Sequence, residues 1–191
     1  MQFLTELWLP ILLSAVFVFI ASSVMHMVLP IHKGDHKKLP NEGQVLEAMR
    51  SSGVGPGVYM FPGCDTMKEM NTPEMAAKLK LGPVGWLTVI PNGGWKMGTA
   101  LTGWFIYSIV IGAIVAYIGW FAIGATGTYL EAFRVTGAAA VLGYSIGAVN
   151  ESLWRGQPWS VSFKFVFDGL VYALLTAGTF GWLWPSATPT I

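Results

Sequence analysis

The chain has 191 residues, 53% hydrophobic, 14% aromatic and only 11% charged, whereas an ordinary soluble domain is about 25% charged. Of the charged side chains, 14 lie between Lys33 and Lys96, while residues 7–32, 97–130 and 169–191 contain no Lys, Arg, Asp or Glu. Three gaps long enough for a bilayer crossing of about 20 residues exclude an ordinary soluble domain. A net charge of +1 without a basic cluster excludes a nucleic-acid partner, and a single cysteine excludes an internal disulfide.

The first apolar segment runs from Pro10 to Leu29 (PILLSAVFVFIASSVMHMVL). Pro10 stands where a first-turn proline is tolerated, and Pro30 where it stops a helix. The residues before it hold Glu6 and no Lys or Arg, which argues against a cleaved signal peptide and for a first crossing. This crossing is bulky, with Ile11, Leu12, Leu13, Val16, Phe17, Val18, Phe19 and Ile20, and it has no stripe of small residues. It is therefore expected at the periphery, facing lipid or another subunit.

Residues 31–97 are too long for a turn and are expected to form a small α+β cytoplasmic insert resting on the membrane. Asn41 caps a helix through about Arg50 that ends near Gly53, and Thr72-Pro73-Glu74 starts a second helix that Gly82 ends. Val58 to Phe61 and Trp86 to Ile90 read as short strands bounded by Gly and Pro.

The second crossing lies within Thr99 to Ile123, the third between Tyr129 and about Trp154, and the fourth from about Phe165 to Trp184, stopped by Pro185. Small residues recur every fourth position along these three: Ser108, Gly112 and Ala116; Ala139, Gly143 and Gly147; Gly169, Ala173, Ala177 and Gly181. Such stripes let helix backbones approach closely in lipid. The expected fold is thus all-α with four transmembrane helices: a first helix in residues 1–30, the insert in 31–97, and a three-helix bundle in 98–191. Lys and Arg number eight from Pro30 to Gly98, one from Gly124 to Arg134 and two from Glu151 to Lys164. Positive charge is retained on the cytoplasmic side, so both termini are expected to be periplasmic.

Charged groups near membrane depth are the first places to look for chemistry. Glu131 with Arg134, Glu151 with Arg155, and Lys164 with Asp168 are three or four residues apart, a spacing that pairs each acid with a base on its own helix face. Asp168, beside Gly169, lies a turn inside the fourth crossing and would point into the bundle, where Arg155 or Asn150 are alternative partners. Asn150, Glu151 and Asp168 are the polar candidates for a transport path.

His26, His32 and His36 are the only histidines, gathered near Met25, Met27 and Asp35, and imidazole with thioether would suit copper or zinc. The pattern is weak, because Pro30 and Gly34 interrupt any helix aligning His32 with His36 and no Cys-x-x-Cys is present. A haem with two histidine ligands would need a histidine on another crossing to face His26. Cys64, in a turn after a strand, has no positioned base nearby in sequence. No motif assembles a nucleophile, a base or a phosphate cradle, so the sequence leans away from an enzyme, and no metal or other cofactor is expected.

Four stretches, Met25 to Lys33 (MHMVLPIHK), Tyr59 to Pro62 (YMFP), Trp154 to Trp159 (WRGQPW), and Asp168-Gly169-Leu170 with Trp182 to Pro185 (WLWP), resemble a family of small bacterial inner-membrane proteins without an assigned activity. The resemblance implies a bacterial inner-membrane setting and carries over no catalytic residue. With packing stripes and short strands too small to bury their own apolar faces, the functional expectation is an accessory or structural subunit. Its expected partners are the lipid bilayer and either further copies of itself or a larger membrane complex. A small oligomeric transporter and a metal-handling membrane protein are the alternatives.

Overall fold

The computed structural model of the chain describes residues 2–185. Its elements in order are α1 (Gln2–Glu6), α2 (Trp8–Ser23), α3 (Glu42–Ser51), β1 (Gly57–Phe61), α4 (Met67–Met70), α5 (Pro73–Leu81), β2 (Gly85–Val89), α6 (Met97–Ile123), α7 (Tyr129–Tyr144), α8 (Val149–Arg155) and α9 (Trp159–Leu183). Four helical segments are long and apolar enough to cross a membrane: Trp8–Val28, Met97–Ile123, Tyr129–Arg155 and Trp159–Leu183. The chain is a multi-pass, largely helical membrane protein with one small sheet. It divides into two compact units, one made of residues up to Asp35, Lys96–Leu153 and those from Gln157 on, the other of His36–Trp95 with Trp154–Gly156.

In the second unit, β1 and β2 pair antiparallel with Tyr59 opposite Leu87 and Met60 opposite Trp86, the two short strands expected between Gly and Pro. The Thr72 hydroxyl accepts from the Met75 amide and Gly82 closes α5 at a φ of 66°, so the start and stop signals act as expected. Asn41 stands at the head of α3, but in the left-handed region and with no capping bond from its side chain. It turns the chain into the helix rather than capping it. The α4 turn, capped by Thr66, has no counterpart in the sequence reading.

In the first unit the small residues do what the stripes predict on α6 and α9: Ser108, Gly112 and Ala116, and Gly169, Ala173, Ala177 and Gly181, are all buried. Among these stripe positions Gly169 is the tightest, where an added Cβ would stand 2.4 Å from the Tyr144 carbonyl oxygen. On α7 the buried row is Ala132, Thr136 and Ala140 rather than Ala139, Gly143 and Gly147. The helix is interrupted there: α7 ends at Tyr144 and a 3-10 turn covers Ile146–Ala148 before α8 resumes. The Ser145 hydroxyl donates to the Val166 carbonyl of α9, anchoring the break.

The first crossing is not peripheral. It buries Ile11, Ser14, Ala15, Val18 and Ser22, one face at helical spacing. A Cβ on Gly112 of α6 would lie 3.2 Å from the Ile11 carbonyl, so a glycine on the neighbour supplies the close approach that the bulky helix lacks. Bonds between helices add to this packing: Trp104 Nε1 donates to Ser22 Oγ at 2.9 Å and the Tyr107 hydroxyl to the Gly143 carbonyl at 2.8 Å. Such bonds in membranes contribute about 0.6 kcal/mol each.

Candidate metal centre

The first crossing does not end as an α-helix. Val24–Val28 form a π turn, in which the Leu29 amide reaches back to the Val24 carbonyl; π turns of this kind occur frequently at functional sites. Pro30, which cannot continue the helix, then opens a short 3-10 turn through His32. This fold-back brings His32 over His26, and both rings beside Asp168 of α9.

One ligand atom from each of His26, His32 and Asp168 lies within 4.8 Å of the others. His32 Nε2 stands 2.8 Å and His26 Nε2 3.6 Å from the same oxygen, Asp168 Oδ2. Asp168 is only 1% exposed, and apart from the two imidazoles no described group hydrogen-bonds to its oxygens. It sits nine residues from the start of α9 and fifteen from its end, about 13 and 22 Å along the axis.

The far side of each ring fixes its tautomer. His26 Nδ1 lies 3.1 Å from the Ser22 carbonyl, which can only accept, so this nitrogen donates. His32 Nδ1 lies 2.8 Å from Asp35 Oδ2, and the Lys164 ammonium donates to the other oxygen of Asp35. That ammonium holds the Asp35 carboxyl below the usual carboxylate range, with His32 adding to the effect against the opposing cost of burial. Asp35 is therefore an ionised acceptor, and His32 Nδ1 donates too. With both Nδ1 atoms donating, each ring that carries a single proton presents a lone pair at Nε2.

These lone pairs face a buried carboxylate, an acceptor against acceptors. A cation between them resolves the conflict. Bonds of 2.0–2.2 Å to zinc at tetrahedral or octahedral angles separate neighbouring ligand atoms by about 2.8–3.6 Å, and the observed 2.8 and 3.6 Å fall at the two ends of that range. Carbonyl and carboxylate partners on the outer nitrogens are the usual second layer of a metal-binding histidine, which they orient and make more basic. Two imidazoles and a carboxylate suit zinc, cobalt or iron(II). Met25 packs in an apolar cluster with Val18 and Tyr172 and Met27 is exposed, so the donor set is nitrogen and oxygen rather than the thioether mixture suited to copper(I).

The sequence names His26, His32 and Asp168 but does not join them, and His36, its third histidine, belongs to the other compact unit. Two expected pairings are replaced. Lys164 meets Asp35 instead of Asp168, and Asp168 meets the histidines instead of Arg155 or Asn150. The Glu131 carboxylate accepts from the Thr128 amide and hydroxyl as a capping box, the work of a helix start. Asn150 is exposed and Glu151 half-buried on α8; neither joins the cluster. Asp35, Lys164 and the Ser22 carbonyl were missed as supports, the only hint being the His-x-x-Asp spacing of His32 and Asp35. Comparison with protein-family models, with curated proteins and with solved structures finds no match, and the chemistry assigned to this centre rests on its geometry.

Proposed function

We propose that the chain is a metal-handling membrane protein that holds a divalent transition ion, of the zinc, cobalt or iron(II) kind, at His26, His32 and Asp168. The observation that carries this reading is the pair of imidazoles, each held by an oxygen on Nδ1, presenting Nε2 to one buried carboxylate oxygen at 2.8 and 3.6 Å. The test is titration of the chelator-stripped chain, in detergent, with cobalt(II). One equivalent should develop ligand-field absorption in the visible range; His32→Ala and Asp168→Asn should abolish it, and His36→Ala should leave it intact. A His32→Ala chain that binds cobalt as the parent does would sink the proposal.

An accessory or structural subunit is supported only by exposed apolar side chains, and on four crossing helices these are the surface that lipid covers. The transport reading drew on Asn150, Glu151 and Asp168 together, and Asp168 is engaged with the histidines instead. The resemblance supports a bacterial inner-membrane setting, and the charge count supports residues 31–97 on the cytoplasmic side with both termini periplasmic. On that orientation the metal centre lies toward the cytoplasmic end of α2.

A further inference from the structure

The centre holds fewer protein donors than a closed site needs. Structural zinc sites use four protein ligands, whereas reactive sites keep a position open. Among the described residues the cluster comprises three side chains, and even with both Asp168 oxygens bound, a fifth position remains for a first-row ion. The His26 ring is 39% exposed, so the cluster is not closed over on that side.

Charge adds a second constraint. The carboxylates of Asp35 and Asp168 and the ammonium of Lys164 leave one net negative charge among buried or half-buried groups, and a divalent ion turns this into one net positive. An uncompensated charge at such a place is costly, and a single monoanionic ligand on the metal removes it.

A third observation locates that ligand. Tyr172 is one turn beyond Asp168 on α9, on the same helix face, and is 4% exposed. Its ring packs against Trp104 and Tyr144, its hydroxyl is buried with no hydrogen-bond partner, and it lies within electrostatic reach of the Asp168 carboxylate. A buried phenol without a partner is costly to keep, and one placed a helical turn from a metal ligand is a candidate donor to whatever the metal binds.

Resting on the metal reading above, we infer that the ion at His26, His32 and Asp168 keeps an open position that binds a small monoanion, to which the Tyr172 hydroxyl donates a hydrogen bond. No bond within the protein is made or broken; the anion adds to the metal or replaces its water. The centre is thus a ligand-exchanging site rather than a structural clip.

The test uses the full chain loaded with cobalt(II) in detergent and titrated with azide as the monoanion and acetonitrile as the neutral control. Azide should change the visible absorption saturably while acetonitrile at equal concentration should not. Tyr172→Phe should bind cobalt within about threefold of the parent but azide about fivefold more weakly, the worth of one hydrogen bond near 1 kcal/mol. An azide-insensitive spectrum in a chain that binds cobalt overturns this inference and leaves the metal site standing. Undiminished azide binding by Tyr172→Phe, its fold checked by helix content, removes Tyr172 from the inference, and equal response to acetonitrile removes the charge argument. If the parent chain binds no cobalt, both readings fall together.

Discussion

His26 and His32 stack ring on ring, their centroids 4.3 Å apart and their planes 6° from parallel. Two imidazolium ions so placed would repel by about 4 kcal/mol at a protein-like dielectric, a cost that a metal ion bound at both Nε2 atoms avoids. Stacking aligns the two Nε2 atoms toward Asp168, and the arrangement is stable where a cation takes up their lone pairs.

Metal should therefore stabilise the fold. With zinc at about 100 times its dissociation constant, linkage gives about 2.7 kcal/mol, read as a higher midpoint when the stripped chain is unfolded in detergent. His32→Ala should erase the increment. An equal increment in that variant would mean the zinc acts elsewhere.

Asp35 touches no metal in this scheme, yet it should control affinity. Second-layer partners of metal-binding histidines are worth about 10- to 100-fold in affinity, and Asp35→Asn should weaken cobalt binding by that order without changing helix content. Lys164→Met acts one bond further out and should weaken it less. Unaltered affinity in Asp35→Asn would show that His32 is oriented without it.

Gly169 and Gly178 lie on the same helix and separate packing from propensity. A Cβ on Gly169 meets the backbone of Tyr144 and Ser145 at 2.4 and 2.5 Å, whereas one on Gly178 meets nothing within 4 Å. Gly169→Ala should cost about 1–3 kcal/mol as overpacking, read as an earlier thermal midpoint, and because Asp168 is its neighbour it should weaken cobalt binding too. Gly178→Ala should leave both unchanged. Equal midpoints for the two variants would contradict the close contact between α7 and α9.

Orientation is tested with a cysteine at Ser51 in a chain whose Cys64 is replaced. An impermeant thiol reagent applied to bacterial cells stripped of their outer membrane should leave the cysteine unmodified until the inner membrane is opened. Labelling of the sealed cells would invert the topology.

The four crossings were legible because membrane solubility forces charge out of long segments, and that signal needs no partner to be read. The strands and α5 were legible because Thr72, Gly82 and the short apolar runs bounded by Gly and Pro act within a few positions. The centre was not, for two physical reasons. Pro30, which in sequence argues against aligned histidines, is what folds His32 back over His26 once the helix has ended. Asp168 reaches them only through the packing of α2 on α9, a contact set by shape. The same blindness made the first crossing look peripheral: its own side chains are bulky, and the room is made by Gly112 on α6.

The π turn at Val24–Val28 bears on how such a centre could arise or be lost. A π turn is an α-helix carrying one additional residue, and one residue rotates everything beyond it by about 100° around the axis. His26 lies within that turn, so its direction depends on a single inserted position. One codon gained or lost in this stretch would swing the imidazole away from Asp168 while leaving the apolar residues before it, and the length of the crossing, nearly unchanged.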